Sequence, residues 1–259
     1  MVDIVASDEF VPRYLARIGW DAPCPTVLDR ETIAALAEAH VARVPFENLR
    51  LHPTGAILLD EAVIIRRILD DGEGGLCYEL NTSFGRLLEH LGARVELVGA
   101  TVDIPRDDSS RRGIPLSHLA LRVTTSADRL HVDVGFGGPH IVRAEAEHGE
   151  RVTSGDGRTY VVDATARPLV DFTGAAQWHS SSPDSRFQRS IVCSVVRGGT
   201  AVTLFGTPGE RPGAPAVWGF SEGGVRREVS ADEARALLQS RFGMTRPLPT
   251  AVRAASAAA

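Results

Sequence analysis

Along the N-terminal third of the chain, apolar side chains recur at helical spacing: Phe10, Tyr14 and Ile18 in one segment, then Ile33, Leu36, His40, Val41 and Val44 in the next. Side chains three and four apart share one face of an α-helix, so each stripe predicts a helix with a single buried side. A third segment, from Asp60 to Leu69, is apolar at Val63, Ile64, Ile65, Ile68 and Leu69, and Asp70-Asp71-Gly72 stops it. A fourth starts near Cys77 and carries Leu80, Phe84, Leu87, Leu88 and Leu91 before Gly92, which can take the left-handed backbone of a helix C-terminus. From Arg94 onward the period shortens to two. Strands are predicted at Val95 to Ile104, His118 to Thr125, Leu130 to Val134, Tyr160 to Val162 and Ser190 to Val196. Surface loops are expected from Pro105 to Gly113 and across the serine-rich Trp178 to Arg186. The last part adds short strands, Val202 to Phe205 and Val225 to Val229. A helix from Ser230 through Phe242 follows, opened by the capping-box pattern Ser230-Ala231-Asp232-Glu233. The Ala-rich tail after Pro249 has the composition of a disordered end.

Composition changes this picture mainly by exclusion. At 259 residues and 43% hydrophobic content the chain can bury a sizeable core. No apolar run approaches the roughly 18 residues that would span a bilayer. Met1-Val2-Asp3-Ile4-Val5 lacks the basic start and long apolar stretch of a signal peptide. The expectation is a cytoplasmic protein with no membrane partner. A net charge of -5 argues against a nucleic-acid binder, which carries a basic face. All 28 basic side chains are arginine, so lysine Schiff-base or lysine general-base chemistry is excluded. Three cysteines, Cys24, Cys77 and Cys193, lie far apart without CxxC spacing, which points to free thiols with neither a disulfide framework nor a metal site.

The chemistry gathers around Cys77, in Gly74-Gly75-Leu76-Cys77-Tyr78-Glu79-Leu80-Asn81, where glycines run straight into the fourth helix. The start of a helix offers unpaired backbone N–H groups and the positive end of its dipole, which stabilise a thiolate and can hold the oxyanion of a tetrahedral intermediate. The thiol alone does not decide the matter, since free cysteine is among the most buried residue types. His118, opening a strand, and Asp133, inside the apolar run Val132-Asp133-Val134, tip the balance. A carboxylate there is costly unless paired. Accepting a hydrogen bond from the histidine Nδ1 would make it the third member of a Cys-His-Asp triad. Strands around His118 and Asp133, joined by a turn near Ser126-Ala127-Asp128, can bring the pair together. Gly135-Phe136-Gly137-Gly138 then permits close backbone approach to a ligand, or simply a tight turn. Cys24, between two prolines, and Cys193, in an apolar strand, are expected to do no chemistry.

Taken in order, these blocks resemble the arylamine N-acetyltransferase family. The resemblance rests on Tyr14-Leu15-Ala16-Arg17-Ile18-Gly19, Val44-Pro45-Phe46-Glu47-Asn48-Leu49, the Gly-Gly-x-Cys-x-Glu block at Cys77, the His118 strand, Val132-Asp133-Val134-Gly135-Phe136-Gly137, and Ser182-Pro183-Asp184-Ser185-Arg186-Phe187. It implies an α+β fold: a helical bundle (1–92) carrying the nucleophile, a β-barrel (93–197) carrying His118 and Asp133, and an α/β lid (198–259) ending in the disordered tail. It implies a papain-like triad of Cys77, His118 and Asp133 and a ping-pong acyl transfer through Cys77. The donor implied is acetyl-coenzyme A, as co-substrate and not as a permanently bound cofactor; the acceptor is an aromatic amine or hydrazine. By position, Ser117, Gly135, Phe136, Gly137 and Phe187 match the acyl and cofactor pocket, and Phe46 its inner wall.

One position departs from the family pattern. Glu73 stands where the block opens with arginine, facing Glu47 of the Val-Pro-Phe-Glu-Asn block. Two facing carboxylates raise one pKa or push one side chain to solvent, and Arg66 or Arg67 is the expected compensation. The family also contains an amide synthase branch, which takes a polyketide chain from an acyl carrier protein and closes a macrolactam on its own aryl amine. A third reading is a degenerate binding protein that kept the fold.

Overall fold

The computed structural model describes residues 8–52, 55–103, 113–209 and 214–252. The expected loop from Pro105 lies outside these residues as far as position 112, as does the tail beyond 252.

The four apolar stripes form α1 (Phe10–Arg17), α2 (Arg30–Arg43), α3 (Glu61–Leu69) and α4 (Cys77–His90). Asp29 caps α2 by accepting from the Thr32 N–H at 2.8 Å, and Asp60 caps α3 through Val63 at 3.0 Å. α4 is the central element: every residue from Cys77 to Gly85 is buried, and it packs against α1, α3 and the first large sheet. Phe84, Leu87 and Leu88 are fully buried in this layer. Each stabilises the fold by about 1.5–3 kcal/mol relative to an exposed position.

The six-stranded antiparallel sheet is built from β2 (Arg94–Val102), β3 (His118–Thr124), β4 (Arg129–Asp133), β5 (Ile141–Ala144), β6 (Arg151–Thr153) and β7 (Thr159–Ala166). Its order is β5-β4-β3-β2-β7-β6. This curled sheet is the expected barrel element, and β3 and β4 run side by side with Leu121 opposite Val132. A second sheet contains β1 (Phe46–Glu47), β8 (Ile191–Arg197), β9 (Thr200–Thr207), β10 (Val217–Glu222) and β11 (Val225–Val229), in the order β1-β8-β9-β10-β11. β1 thus threads the N-terminal part into the C-terminal sheet, pairing Glu47 with Cys193.

The serine-rich stretch differs from expectation. Thr173–Ser181 is a helix (α5), followed by the one-turn α6 (Arg186–Arg189). Ser180 and Ser181 return their hydroxyls to the carbonyls of Ala176 and Gln177, four residues back, so the serines are absorbed into the helix. The last helix, α7 (Ala231–Phe242), is capped by Ser230 as expected, through the Glu233 N–H at 3.1 Å.

Candidate active site

The nucleophile loop is pressed flat against β1. Gly75 N–H donates to Pro45 O at 3.1 Å, and Glu47 N–H donates to Gly75 O at 2.9 Å. A Cβ on Gly74 would lie 1.8 Å from the Pro45 carbonyl oxygen, and one on Gly75 would lie 2.6 Å from Glu79 Oε2. The two glycines are therefore required by close approach. The chain then turns into α4, whose N-cap is Leu76. Unlike Asp29, Asp60 and Ser230 at the starts of α2, α3 and α7, Leu76 offers no side-chain acceptor to the first turn. Glu79 instead reaches back to the Leu76 N–H at 3.0 Å, and its other oxygen pairs with Arg67 at 2.8 Å.

β3 and β4 bring His118 and Asp133 beneath Cys77, with Nε2 of His118 2.7 Å from Asp133 Oδ2. The other ring nitrogen is left for the hydrogen bond with the Cys77 side chain. This reverses the expected tautomer geometry, because the carboxylate takes Nε2 and not Nδ1. All three side chains are buried. Burial opposes charge on His118, yet the Asp133 carboxylate, then Cys77, and hydrogen bonds to both raise its pKa to about 10. For Asp133, burial alone would push the carboxyl up. The His118 charge and hydrogen bond, Asn81 and the Gly135 N–H together hold it at about 2. The result is a buried imidazolium–carboxylate pair beside a thiol at an uncapped helix N-terminus.

Asn81 organises the triad, and its role was not recognised from sequence. Its Nδ2 donates to Asp133 Oδ1 at 2.8 Å and Leu119 O at 2.7 Å, and its Oδ1 accepts from the Val134 N–H at 2.9 Å. The available signal was its position four residues after Cys77, one helical turn along the same face. Tyr160, on β7, is a second such residue. Its ring lies 4.9 Å from His118, and its hydroxyl bonds His131 Nε2 at 2.7 Å and also Asp133.

The other predicted site residues gather on the same side. A Cβ on Gly135 would lie 2.7 Å from Cys77 Cα and 2.6 Å from Asn81 Nδ2, so this glycine permits the triad to close. The Phe136 ring is 4.9 Å from the His118 ring. Gly137 has φ +76°, and a Cβ there would meet the Phe46 ring at 2.8 Å. Phe46 in turn lies 6.0 Å from Phe187. Ser117 is tied into its surroundings: its hydroxyl accepts from Val102 N–H and its carbonyl from His179 Nε2. A crevice of about 430 Å³, lined by Glu61, Thr82, Arg86, Glu96 and Arg167 among others, lies beside α4. None of its lining residues belongs to the triad.

The N-acetyltransferase family model matches residues 29–154. The arylamine N-acetyltransferase of Mycolicibacterium smegmatis is 32% identical over 209 residues, covering 71% of this chain and 75% of that enzyme. The chain belongs to the arylamine N-acetyltransferase family. It is accordingly an acyltransferase of this family. The proansamycin X synthase of Amycolatopsis mediterranei is 35% identical over 136 residues, covering 51% of this chain and 50% of that protein. The fold is shared with Mycobacterium marinum arylamine N-acetyltransferase in complex with CoA, at a TM-score of 0.72 and 22% identity, over 91% of this chain and 93% of that one.

The departure from the family pattern at Glu73 is resolved in an unexpected way. Glu73 pairs with Arg50 and lies 3.5 Å from Arg246, so it meets Glu47 through shared arginines. Arg67, one of the two expected compensators, is engaged with Glu79. Burial raises the pKa of Glu47, opposed first by Arg246 and then by the Leu49 N–H, Arg50 and Arg67. Three carboxylates and three arginines thus interlock under the nucleophile loop, and one arginine comes from beyond α7. That arrangement was illegible in sequence, because Arg246 is 173 positions from Glu73. Among the described residues no His, Cys, Asp or Glu group could hold a metal ion.

Proposed function

We propose that the chain transfers an acyl group, acetyl in the simplest case, from a coenzyme A thioester through Cys77 to an aromatic amine or hydrazine. The observation that carries this reading is the buried Asp133–His118–Cys77 relay at the start of α4. His118 holds the proton of the Cys77 thiol, and the sulfur attacks the thioester carbonyl. Negative charge developing on that oxygen falls toward the open N–H groups of the first turn of α4. Collapse expels the donor thiol, which leaves with a proton from His118, and an acyl-enzyme remains. The amine then attacks that thioester, His118 takes its proton, and Cys77 is released. Asp133 keeps the ring oriented throughout and stabilises it whenever it carries the proton; Asn81 fixes Asp133. No permanently bound cofactor enters the scheme, and the cytoplasm is the matching compartment for a thiol nucleophile.

The M. marinum relative, solved in complex with CoA, supports coenzyme A as donor. The likeness to proansamycin X synthase favours a second reading: release of a polyketide chain from a carrier-protein thioester by macrolactam formation on its own aryl amine. Initial rates with acetyl-coenzyme A and a simple aromatic amine separate the two. Parallel double-reciprocal lines support acetyl transfer. No turnover with any free amine, alongside acylation of Cys77 by a loaded carrier protein, supports the synthase.

A further inference from the structure

Two arginines lie over the aromatic rings that flank the triad. The Arg158 guanidinium carbon is 4.7 Å from the centre of the Phe136 ring, which itself lies 4.9 Å from His118. The Arg186 guanidinium is 5.6 Å from the centre of the Phe187 ring, which lies 6.0 Å from Phe46 and 5.1 Å from His179. Space for Arg158 comes from Gly138, where a Cβ would stand 2.6 Å from Arg158 Nη2. Arg186 is exposed and Arg158 half-buried, so both charges face outward from a layer of buried rings.

Their partners are unequal. Arg158 spends one edge on Asp156, with Nε and Nη2 at 2.9 and 2.5 Å from Oδ2. Arg186 has no carboxylate and no side-chain hydrogen-bond acceptor among the described residues, and it rests on the Phe187 ring. The Arg158 charge is near enough to be felt at Arg186, and an anion held between the two relieves that repulsion. A guanidinium stacked on a ring keeps its N–H edges free and its plane fixed, which suits bidentate capture of phosphate. In a chain of net charge -5, this pair is a local exception.

We propose that Arg158 and Arg186 form an anion clamp for the phosphate that heads a pantetheine thioester, the chemistry shared by coenzyme A and a carrier-bound acyl chain. The clamp rests on the reading of Cys77 as acyl acceptor, and it places donor recognition beside the Phe136 and Phe187 rings.

The test compares acylation of Cys77 by acetyl-coenzyme A, by acetyl-4′-phosphopantetheine and by acetylpantetheine, which lacks the phosphate. It uses the full chain and Arg186→Gln, Arg186→Lys and Arg158→Gln, with folding checked by circular dichroism. In Arg186→Gln the ratio of kcat/KM for acetyl-4′-phosphopantetheine to that for acetylpantetheine falls about tenfold, the loss of one charge-assisted hydrogen bond. Arg186→Lys recovers part of it. The same fall with a loaded carrier protein identifies that source, and with acetyl-coenzyme A the free one. An unchanged ratio overturns the clamp. So does a loss confined to coenzyme A, which would place the nucleotide phosphates there, or one confined to the amine half-reaction with a carboxylated aryl amine. If wild-type Cys77 accepts an acyl group from none of the donors, the parent reading falls as well.

Discussion

At the scale of single residues, the triad depends on an amide that does no chemistry. Asn81 holds Asp133, Leu119 and Val134 through three hydrogen bonds from one buried side chain. Asn81→Ala leaves the Leu119 carbonyl without this donor and frees Asp133 to rotate. Stability falls by about 1–3 kcal/mol in urea titration, and kcat/KM falls at least about tenfold. An unchanged kcat/KM would show that Asp133 is oriented without it. Gly135→Ala is harsher for activity, because the new Cβ meets Cys77 backbone as well as a movable side chain. The expected outcome is loss of Cys77 acylation in a chain that still melts cooperatively. The three catalytic residues were legible because each broke its local pattern: a thiol after glycines, an imidazole opening a strand, a carboxylate inside an apolar run. Asn81 broke no pattern, since a polar residue near a helix start is ordinary.

At the scale of elements, the start of α4 is held from outside and not by a cap. The loop at Glu73 to Leu76 is pinned by β1, by Arg17, which donates to the Gly72 and Glu73 carbonyls, and by the arginine cluster. Glu73→Arg would add a fourth arginine to Arg50, Arg67 and Arg246 and leave Glu47 and Glu79 as the counter-charges. It lowers the melting temperature, and Arg246→Glu in the same chain restores part of the loss. A double-mutant cycle in urea reads the coupling directly, expected at about 1–3 kcal/mol. Purely additive losses would contradict the pairing. The helices were predictable from their 3.6-residue stripes. β5, β6 and β10 were missed because they are short and edge-like or depend on cross-strand neighbours. The Trp178 to Arg186 loop was misread because serine hydroxyls satisfied by carbonyls four residues back do not break a helix.

For the whole molecule, the buried ionisable groups set an acid limit. Burial lowers the pKa of His40 to about 3 and of His131 and His179 to about 4, so all three are neutral in the native state. The unfolded chain binds protons at these histidines once pH drops below about 6.5. Their stabilisation is present above that pH and is lost as pH falls toward the native values. Burial raises Glu79 to about 7, and that works the other way: its proton is bound in the native state first, which offsets roughly one histidine. Raised Glu47 adds to the offset. The three histidines outweigh this offset, so unfolding takes up protons on balance. Stability therefore declines as pH falls between roughly pH 6 and 5. Melting curves at pH 7 and 5.5 check this, and a flat or rising melting temperature would contradict it. His118, raised to about 10, contributes stability throughout this window and loses it only as pH rises through that value.

The claim on which these scales converge is that Cys77 is the thiol that carries the acyl group. Cys24 is exposed, and Cys193 is buried in β8 against Met244, so the chain supplies its own controls. The direct measurement is intact-mass and peptide-mapping analysis after brief incubation with one equivalent of acetyl-coenzyme A at neutral pH, followed by an aromatic hydrazine. The account predicts a single acetyl group on Cys77, discharged by the hydrazine and absent in Asp133→Ala. An acetyl group on Cys24, or one on Cys77 that forms equally well without Asp133, would contradict it.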